Sequence, residues 1–196
     1  MDLYRIGFKF LAQVSGDLDL EELIPVFHRW IQTSAVDGLL IDVANYAHVH
    51  HGPGVMLIAH EGHYATDLRR GRFGLQYERK RPMTGSLEER FLTVCRTTLR
   101  ACARLEGEPE LEGRVRFPGN ELWVWAIDRL WAPNTEETFS RLRPVLSGLL
   151  ERLYPGADLE IEREPDPREP FLLGVKASES VPVAELLRRI SPNGAA

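Results

Sequence analysis

The sequence predicts an α+β protein made of two ferredoxin-like βαββα halves that pack as an internal pseudo-dimer. The order strand, helix, strand, strand, helix can be read twice along the 196 residues. A Leu-x-Pro-Val motif occurs at Leu23–Val26 and again at Leu142–Val145, with the proline moving 119 places from position 25 to position 144. Because an internal proline costs a helix ~3 kcal/mol, its recurrence indicates a kink shared by duplicated helices. Such a repeat predicts a mainly antiparallel sheet with helices on one face.

The first predicted half covers residues 1–106. Tyr4–Phe10 alternates apolar and polar side chains with a period of two, which is typical of a strand with one face toward a core. Asp19 and Glu22 have the spacing of a capping pair, and apolar residues at helical spacing come after them. The later elements of this half are predicted strands at Leu39–Val43 and Gly54–His60 and a helix opened by Ser86 and Glu89.

The second predicted half covers residues 114–190, and residues 191–196 are predicted to form a flexible tail. A hairpin at residues 62–81, turning at Arg70–Gly71, has no counterpart in this half. We therefore interpret it as an insertion, which is a place where a specific function can reside. The elements of the second half are predicted strands at Leu122–Leu130, Leu159–Ile161 and Phe171–Val175 and helices at Asn134–Leu153 and Val183–Ile190.

The composition indicates which binding partners and which cellular location to expect. A net charge of −5 disfavours nucleic acid as a partner. The apolar runs are much shorter than the ~20 residues of a membrane-spanning helix, so no membrane partner is expected. Residues 1–10 lack the continuous apolar block of a secretion signal, and we expect a cytoplasmic protein. Cys95 and Cys102 are predicted to be free, buried thiols.

Five of the six histidines lie within sixteen positions: His48, His50, His51, His60 and His63. Imidazole with nearby carboxylate suits a divalent transition metal such as zinc. His60 and His63 are three apart in a strand-like stretch, which sends their side chains to opposite faces. We therefore predict a metal site from His48 or His51 together with His60 or His63. The alternative is that these histidines make ordinary hydrogen bonds at a loop and a strand end.

The segment Gly52-Pro53-Gly54 predicts a tight turn, and the alternative is that the Gly54 amide is presented to an anion.

The predicted strand at Leu122–Leu130 carries two tryptophans at alternate positions. Trp123 and Trp125 point the same way and are predicted to pack in the core, with a stacking platform for a flat ligand as the alternative.

Two oppositely charged groups of residues stand out. Positive charge is concentrated on the predicted hairpin, at Arg69, Arg70, Arg72, Arg79, Lys80 and Arg81. Negative charge alternates along a later strand, at Asp158, Glu160, Glu162 and Glu164. Opposed patches support self-association or a contact inside the chain, whereas each patch alone is more typical of a solvated surface.

The runs Ile41–Val49, Gly52–Val55, His60–Glu61, Tyr64–Asp67 and Gly74–Lys80 resemble a family of uncharacterised bacterial proteins of about this length. The resemblance covers most of the chain and implies no particular activity. It implies that one set of residues acts as a unit: Asp42, His48, Gly52–Gly54, His60, Glu61 and Asp67.

The sequence thus favours a small-ligand or metal-binding protein with a polar pocket in segment 42–67, next to the hairpin. The predicted ligand is a small molecule or anion, and the only cofactor indicated is a divalent transition metal. If the pocket is catalytic, Glu61 or a histidine is the acid–base candidate. The predicted ligand-binding residues are Asp42, His48, Gly52, Gly54, Glu61, Asp67 and Arg72. The alternative is a non-catalytic assembly subunit, for example a homo-oligomer, that uses the basic hairpin and the acidic strand.

Overall fold

The computed structural model describes residues 3–49 and 52–191, which form ten strands and four α-helices. The strands are β1 (Ile6–Leu11), β2 (Gln13–Val14), β3 (Leu40–Tyr46), β4 (Gly54–Ala59), β5 (Gly62–Asp67), β6 (Gly74–Arg79), β7 (Val115–Arg116), β8 (Glu121–Ala126), β9 (Leu159–Arg163) and β10 (Phe171–Ala177). The helices are α1 (Leu23–Thr33), α2 (Leu87–Glu106), α3 (Glu136–Leu153) and α4 (Val183–Ile190).

Eight strands form one sheet in the order β3-β4-β5-β6-β1-β8-β10-β9, and every neighbouring pair is antiparallel. Strands β2 and β7 form a separate two-stranded ribbon. The central strands β1 and β8 pair with Lys9 opposite Trp123. This confirms the predicted mixed α+β class and the mainly antiparallel sheet.

The two faces of the large sheet differ in what covers them. On the helical face, Phe8 of β1 packs edge-on against Phe91 of α2, with 6.1 Å between ring centroids. Helix α3 faces β8 and β10 from the same side, α4 packs on α2 and α3, and α1 contacts β3 and β4. The opposite side, which we call the open face, carries the alternate residues of each strand: Gly7, Lys9, His63, Asp67, Gln76, Glu78, Glu121, Trp123, Trp125, Leu172 and Gly174.

Both tryptophans of β8 lie on the open face, where Trp125 is buried as predicted and Trp123 is only partly buried. Val124, between them, shares the helical face with Phe8, its partner in register. Trp125 is buried because its indole lies over Gly7 of the neighbouring strand.

The helix caps, the hairpin and the buried cysteines that the sequence predicts are all present in the structure. Asp19 with Glu22 and Ser86 with Glu89 both form the predicted capping boxes. The predicted hairpin is β5 and β6, and its connection contains Arg70 at φ 56° and Gly71 at φ 70°. Leucine and cysteine side chains fill the inner side of α2, and burial raises the pKa of both Cys95 and Cys102, which are free.

The two halves differ in ways that the repeat did not predict. Strand β10 pairs directly with β8, whereas β5 and β6 lie between β4 and β1. Pro25 lies in the first turn of α1, where a backbone N–H has no helical partner, while Pro144 lies inside α3. The matched prolines therefore do not make matched kinks. None of the helices in the described ranges is both long and apolar enough to cross a membrane, and residues 192–196 of the predicted tail lie outside those ranges.

Gly7 is predicted to be essential for packing on the open face. A Cβ at this position would overlap the indole of Trp125. We expect Gly7→Ala to lower the free energy of unfolding by about 1–3 kcal/mol, as overpacked sites do, measured by urea denaturation. Gly174→Ala is the matched control, because a Cβ there would sit 3.7 Å from Trp123 Cδ1, at ordinary contact distance. Equal losses in the two variants would contradict this account.

Candidate functional site

A hollow of about 420 Å³ lies where the loop after β3 faces the connection between β5 and β6. We call it the turn hollow. Its lining residues are Leu20, Tyr46, Ala47, His48, Val49, Gly52, Gly54, Leu68, Arg69, Arg70 and Gly71. Three of the predicted ligand-binding residues, His48, Gly52 and Gly54, therefore lie together here.

Backbone geometry brings the loop close to the end of β5. Val49 donates its N–H to the carbonyl of Tyr46 at 2.9 Å, and Gly52 donates to the carbonyl of Val49 at 2.8 Å. Gly54 has φ +67°, and a Cβ there would collide with the carbonyl oxygen of Thr66. The turn predicted at Gly52-Pro53-Gly54 is not observed, because the turn residues are Ala47 and His48 and residues 52–53 are irregular. Gly54, the first residue of β4, permits the close approach through its positive φ.

The turn hollow is lined by two ion-paired arginines and by apolar side chains. Arg69 and Arg70 are the only Arg, Lys, Asp or Glu side chains among its described lining residues. Exposed apolar side chains lie beside them, since Leu68 is 56% exposed, Val49 43% and Tyr46 41%. The hollow therefore suits a ligand with a negative group and an apolar part.

A larger groove of about 700 Å³ adjoins the hollow on the open face and shares Gly52, Arg69 and Arg70 with it. Its other polar and aromatic lining residues are Asp67, Gln76, Glu78, Trp125, Glu164, Asp166 and Glu169. Each carboxylate in this groove has a cationic partner: Asp67 with Lys9, Glu78 with Arg5, Glu164 with Arg70, Asp166 with Arg168 and Glu169 with Arg69. Each carboxylate of the open-face groove is therefore neutralised, and two of the neutralising cations, Arg69 and Arg70, are the arginines that also line the turn hollow.

Lys9 holds the connection between β5 and β6 against the open face. It is 1% exposed, pairs with the Asp67 carboxylate and donates to the carbonyl of Arg72 at 2.8 Å. Its ammonium lies 4.8 Å from the ring centroid of Trp123. Burial lowers the pKa of Lys9, and the neighbouring Asp67 carboxylate opposes that shift. Asp67 and Arg72, both predicted to bind a ligand, thus have structural partners.

Three arginines of this connection reach the second half of the chain. Arg72 pairs with Glu121 at 2.7 Å, Arg69 with Glu169 at 3.5 Å, and Arg70 with the buried Glu164. Glu164 belongs to the acidic series recognised in the sequence. These basic and acidic side chains meet inside one chain.

Asp42 and Glu61 lie away from the turn hollow. Asp42 is exposed on β3, where its carboxylate accepts the Val43 N–H at 2.8 Å. Glu61, in the turn between β4 and β5, accepts the Leu39 N–H at 3.0 Å. This hydrogen bond lowers the pKa of Glu61, which is therefore an ionised anchor for the turn and a poor acid.

The structure does not bring His48 together with His60 or His63. His48 precedes β4 and His60 comes after it, and six strand residues span roughly 20 Å. Across residues 3–49 and 52–191, no three His, Cys, Asp or Glu side chains converge in a way that could hold a metal ion. The remaining predicted ligand, His51, lies outside those ranges, as does His50.

Sequence reasoning missed a row of side chains across the open face. Glu78 lies opposite His63 on one side and Gly7 on the other, and Gly7 lies opposite Trp125. Trp125 donates its indole N–H to the Glu78 carboxylate at 3.1 Å. Burial raises the pKa of Glu78, although Trp125 and Arg5 oppose the shift. These residues are far apart in the sequence and become neighbours only through the pairing of four strands. No short sequence motif could therefore have predicted the row.

Comparison with protein-family models and with curated proteins found no match for the chain.

The buried ion pair gives a stability prediction. We expect Lys9→Met to lower the free energy of unfolding by about 3–5 kcal/mol, because Asp67 would remain buried without its cation. The double variant Lys9→Met/Asp67→Leu should recover much of that loss, as measured by urea denaturation. Arg168→Met, in an ion pair whose arginine is 88% exposed, is the control and should change stability little. A double variant no more stable than Lys9→Met would contradict this prediction.

Glu78 gives a pH prediction. Its pKa is higher in the folded protein than the ordinary value of 4.5, so the folded state holds the proton more tightly. Its contribution to stability is therefore present at low pH and is lost as pH rises through the folded-state pKa. The free energy of unfolding of Glu78→Gln minus that of wild type should increase from about pH 4 to about pH 8. Chemical denaturation at several pH values measures this difference, and a flat difference would contradict the burial of the charge.

Proposed function

We propose that the protein binds a small organic anion in the turn hollow, with its negative group against Arg69. The observation that carries this proposal is the charge of the lining, which has two arginines and no carboxylate among the described residues. A guanidinium offers paired N–H donors that match a carboxylate or phosphate. A small anionic ligand rather than a divalent metal is the chemistry that this lining supports.

The two arginines have different roles. Arg70 pairs with Glu164, which is 7% exposed, so releasing Arg70 would leave a buried carboxylate without a cation. Arg69 pairs with Glu169 at 3.5 Å, and both side chains are more than 40% exposed. Such a surface pair contributes little and exchanges readily for a ligand. Arg69 is therefore the anion-binding residue, and Arg70 holds the turn in place.

The remaining lining residues indicate what kind of group is attached to the anion. Tyr46, Val49 and Leu68 offer exposed apolar surface to a ligand. Gly52 and Gly71 have no side chain, so the ligand can approach the backbone, and His48 adds an imidazole at the rim. The ligand is thus an anion that carries a compact apolar group.

If the adjoining open-face groove is catalytic, Glu78 replaces Glu61 as its acid–base candidate. The pKa of Glu78 is raised by burial and that of Glu61 is lowered by its backbone hydrogen bond. A raised pKa brings a carboxyl group nearer to neutral pH, where general acid–base catalysis is most effective.

For the architecture, we propose an internal duplication of a ferredoxin-like βαββα unit, with halves at residues 1–106 and 114–190. Two features support this. The first strands of the halves, β1 and β8, lie side by side and antiparallel at the centre of the sheet. In each half that strand is followed by a helix, α1 or α3, and then by two antiparallel strands, β3 and β4 or β9 and β10. The extra strands of the first half then result from the inserted hairpin.

An assembly subunit is the second candidate, and its support now comes from apolar surface rather than from charge. Leu39 and Ile41 are 65% and 55% exposed at the outer strand β3, which has a sheet neighbour on one side only. An edge strand with exposed apolar side chains is a template for pairing with another chain. Of the two charged groups, one residue from each, Arg70 and Glu164, already pair within the chain.

Titration of the ¹⁵N-labelled protein with benzoate, phenyl phosphate and inorganic phosphate tests the anion site. We expect saturable shifts at the amides of Gly52, Gly54 and Gly71, with the two aromatic anions binding more tightly than inorganic phosphate. Arg69→Gln should weaken their binding about tenfold, the loss expected for one charge-assisted hydrogen bond.

The control is Arg188→Gln, which removes an exposed arginine paired with Glu185 on α4 and should leave the affinity unchanged. Equal affinity in Arg69→Gln and wild type would overturn the proposal. So would stoichiometric zinc binding that shifts the same amides while the anions do not.

A further inference from the structure

An apolar cavity of about 300 Å³ lies beneath α3, on the face of the sheet opposite to the turn hollow. Its floor is formed by Leu122 and Val124 of β8 and by Leu173 and Val175 of β10, all at most 4% exposed. Its roof is formed by the inner side of α3, including Leu146, Leu149 and Leu150. Protein interiors are normally packed to crystal-like density, so a space of this size between buried side chains is unusual.

Helix α3 is held chiefly by the other helices rather than by the floor strands. Pro144 lies inside the helix and lacks the N–H that would bond the carbonyl of Ser140. Gly148 comes one turn later, on the exposed side of the helix and outside the cavity lining. The helix packs against α2 and α4, its neighbours in the helical layer. It therefore spans the floor strands without filling the space above them.

Among the described residues that line the cavity, two have polar side chains, Arg143 and Ser147. They are four residues apart and so lie on one side of α3. Within the described part of the chain, Arg143 has no ion-pair partner. Partly exposed Ile161, on the outer strand β9, lies at the opposite rim. The cavity thus has apolar walls and one cationic side chain at its opening.

From these features we infer that the cavity binds a medium-chain carboxylate, with its hydrocarbon chain between α3 and the sheet and its carboxylate against Arg143. At the ~30 Å³ that a water-sized group occupies in a liquid, the space holds roughly ten heavy atoms. Apolar walls bind the chain through the hydrophobic effect, and the guanidinium selects a negative head group over a neutral or positive one. This site is independent of the turn hollow.

Titration of the ¹³C-methyl-labelled protein with sodium decanoate tests the inference. We expect saturable shifts at the methyls of Leu122, Val124 and Val175, and none at Val55 or Leu57, which lie under α1 in the other half. Affinity should rise from hexanoate to decanoate, and hexadecanoate should bind no more tightly than decanoate because its chain exceeds the cavity.

Arg143→Gln should weaken decanoate binding about tenfold while leaving decanol binding unchanged, since only the carboxylate contacts the guanidinium. Arg141→Gln is the matched control, because Arg141 is also exposed on α3 and does not line the cavity. Arg69→Gln should bind decanoate like wild type, which separates this site from the turn hollow. Amide spectra establish that each variant is folded.

Three results would overturn the inference. The first is the absence of saturable methyl shifts with decanoate, which would mean that α3 closes onto the sheet. The second is a set of shifts at Leu68 and Val49, which would place decanoate in the turn hollow. The third is an equal effect of Arg143→Gln on decanoate and decanol, which would remove head-group recognition.

Discussion

The buried ammonium of Lys9 organises the open face of the sheet. Strand β1 is buried along its whole length, and Lys9 lies in its middle with Asp67 as its ion partner. A buried ion pair adds little net stability, because both groups lose their hydration. Its effect here is to hold the connection between β5 and β6 in position. By binding Asp67 and the carbonyl of Arg72, Lys9 fixes both ends of the connection that carries Arg69 and Arg70.

This connection makes the first half of the chain different from the second. Its arginines extend over the open face to Glu121, Glu164 and Glu169, all of which belong to the second half. The same turn forms one wall of the turn hollow and one wall of the open-face groove. The β5–β6 hairpin therefore contacts the C-terminal part of the chain and also lines the candidate site.

The sequence predicted the features that depend on neighbours along the chain and missed those that depend on pairing between strands. Both capping boxes and the turn at Arg70 result from interactions within a few residues, and the structure contains them. The face of Trp123 depends on the phase of β8, and a shift of one residue moves every side chain to the other face. Likewise, His48 and His60 are close in sequence, yet an entire strand separates them.

The absence of a side chain at Gly7 affects both the packing of the open face and the pKa of Glu78. Because there is no Cβ, the indole of Trp125 lies across β1 and reaches the carboxylate of Glu78 on the far side of that strand. Burial raises the pKa of Glu78, and the indole donates a hydrogen bond that limits the rise. A side chain at Gly7 would displace the indole and remove this hydrogen bond. The protonation of Glu78 is therefore controlled by a residue that has no polar group of its own.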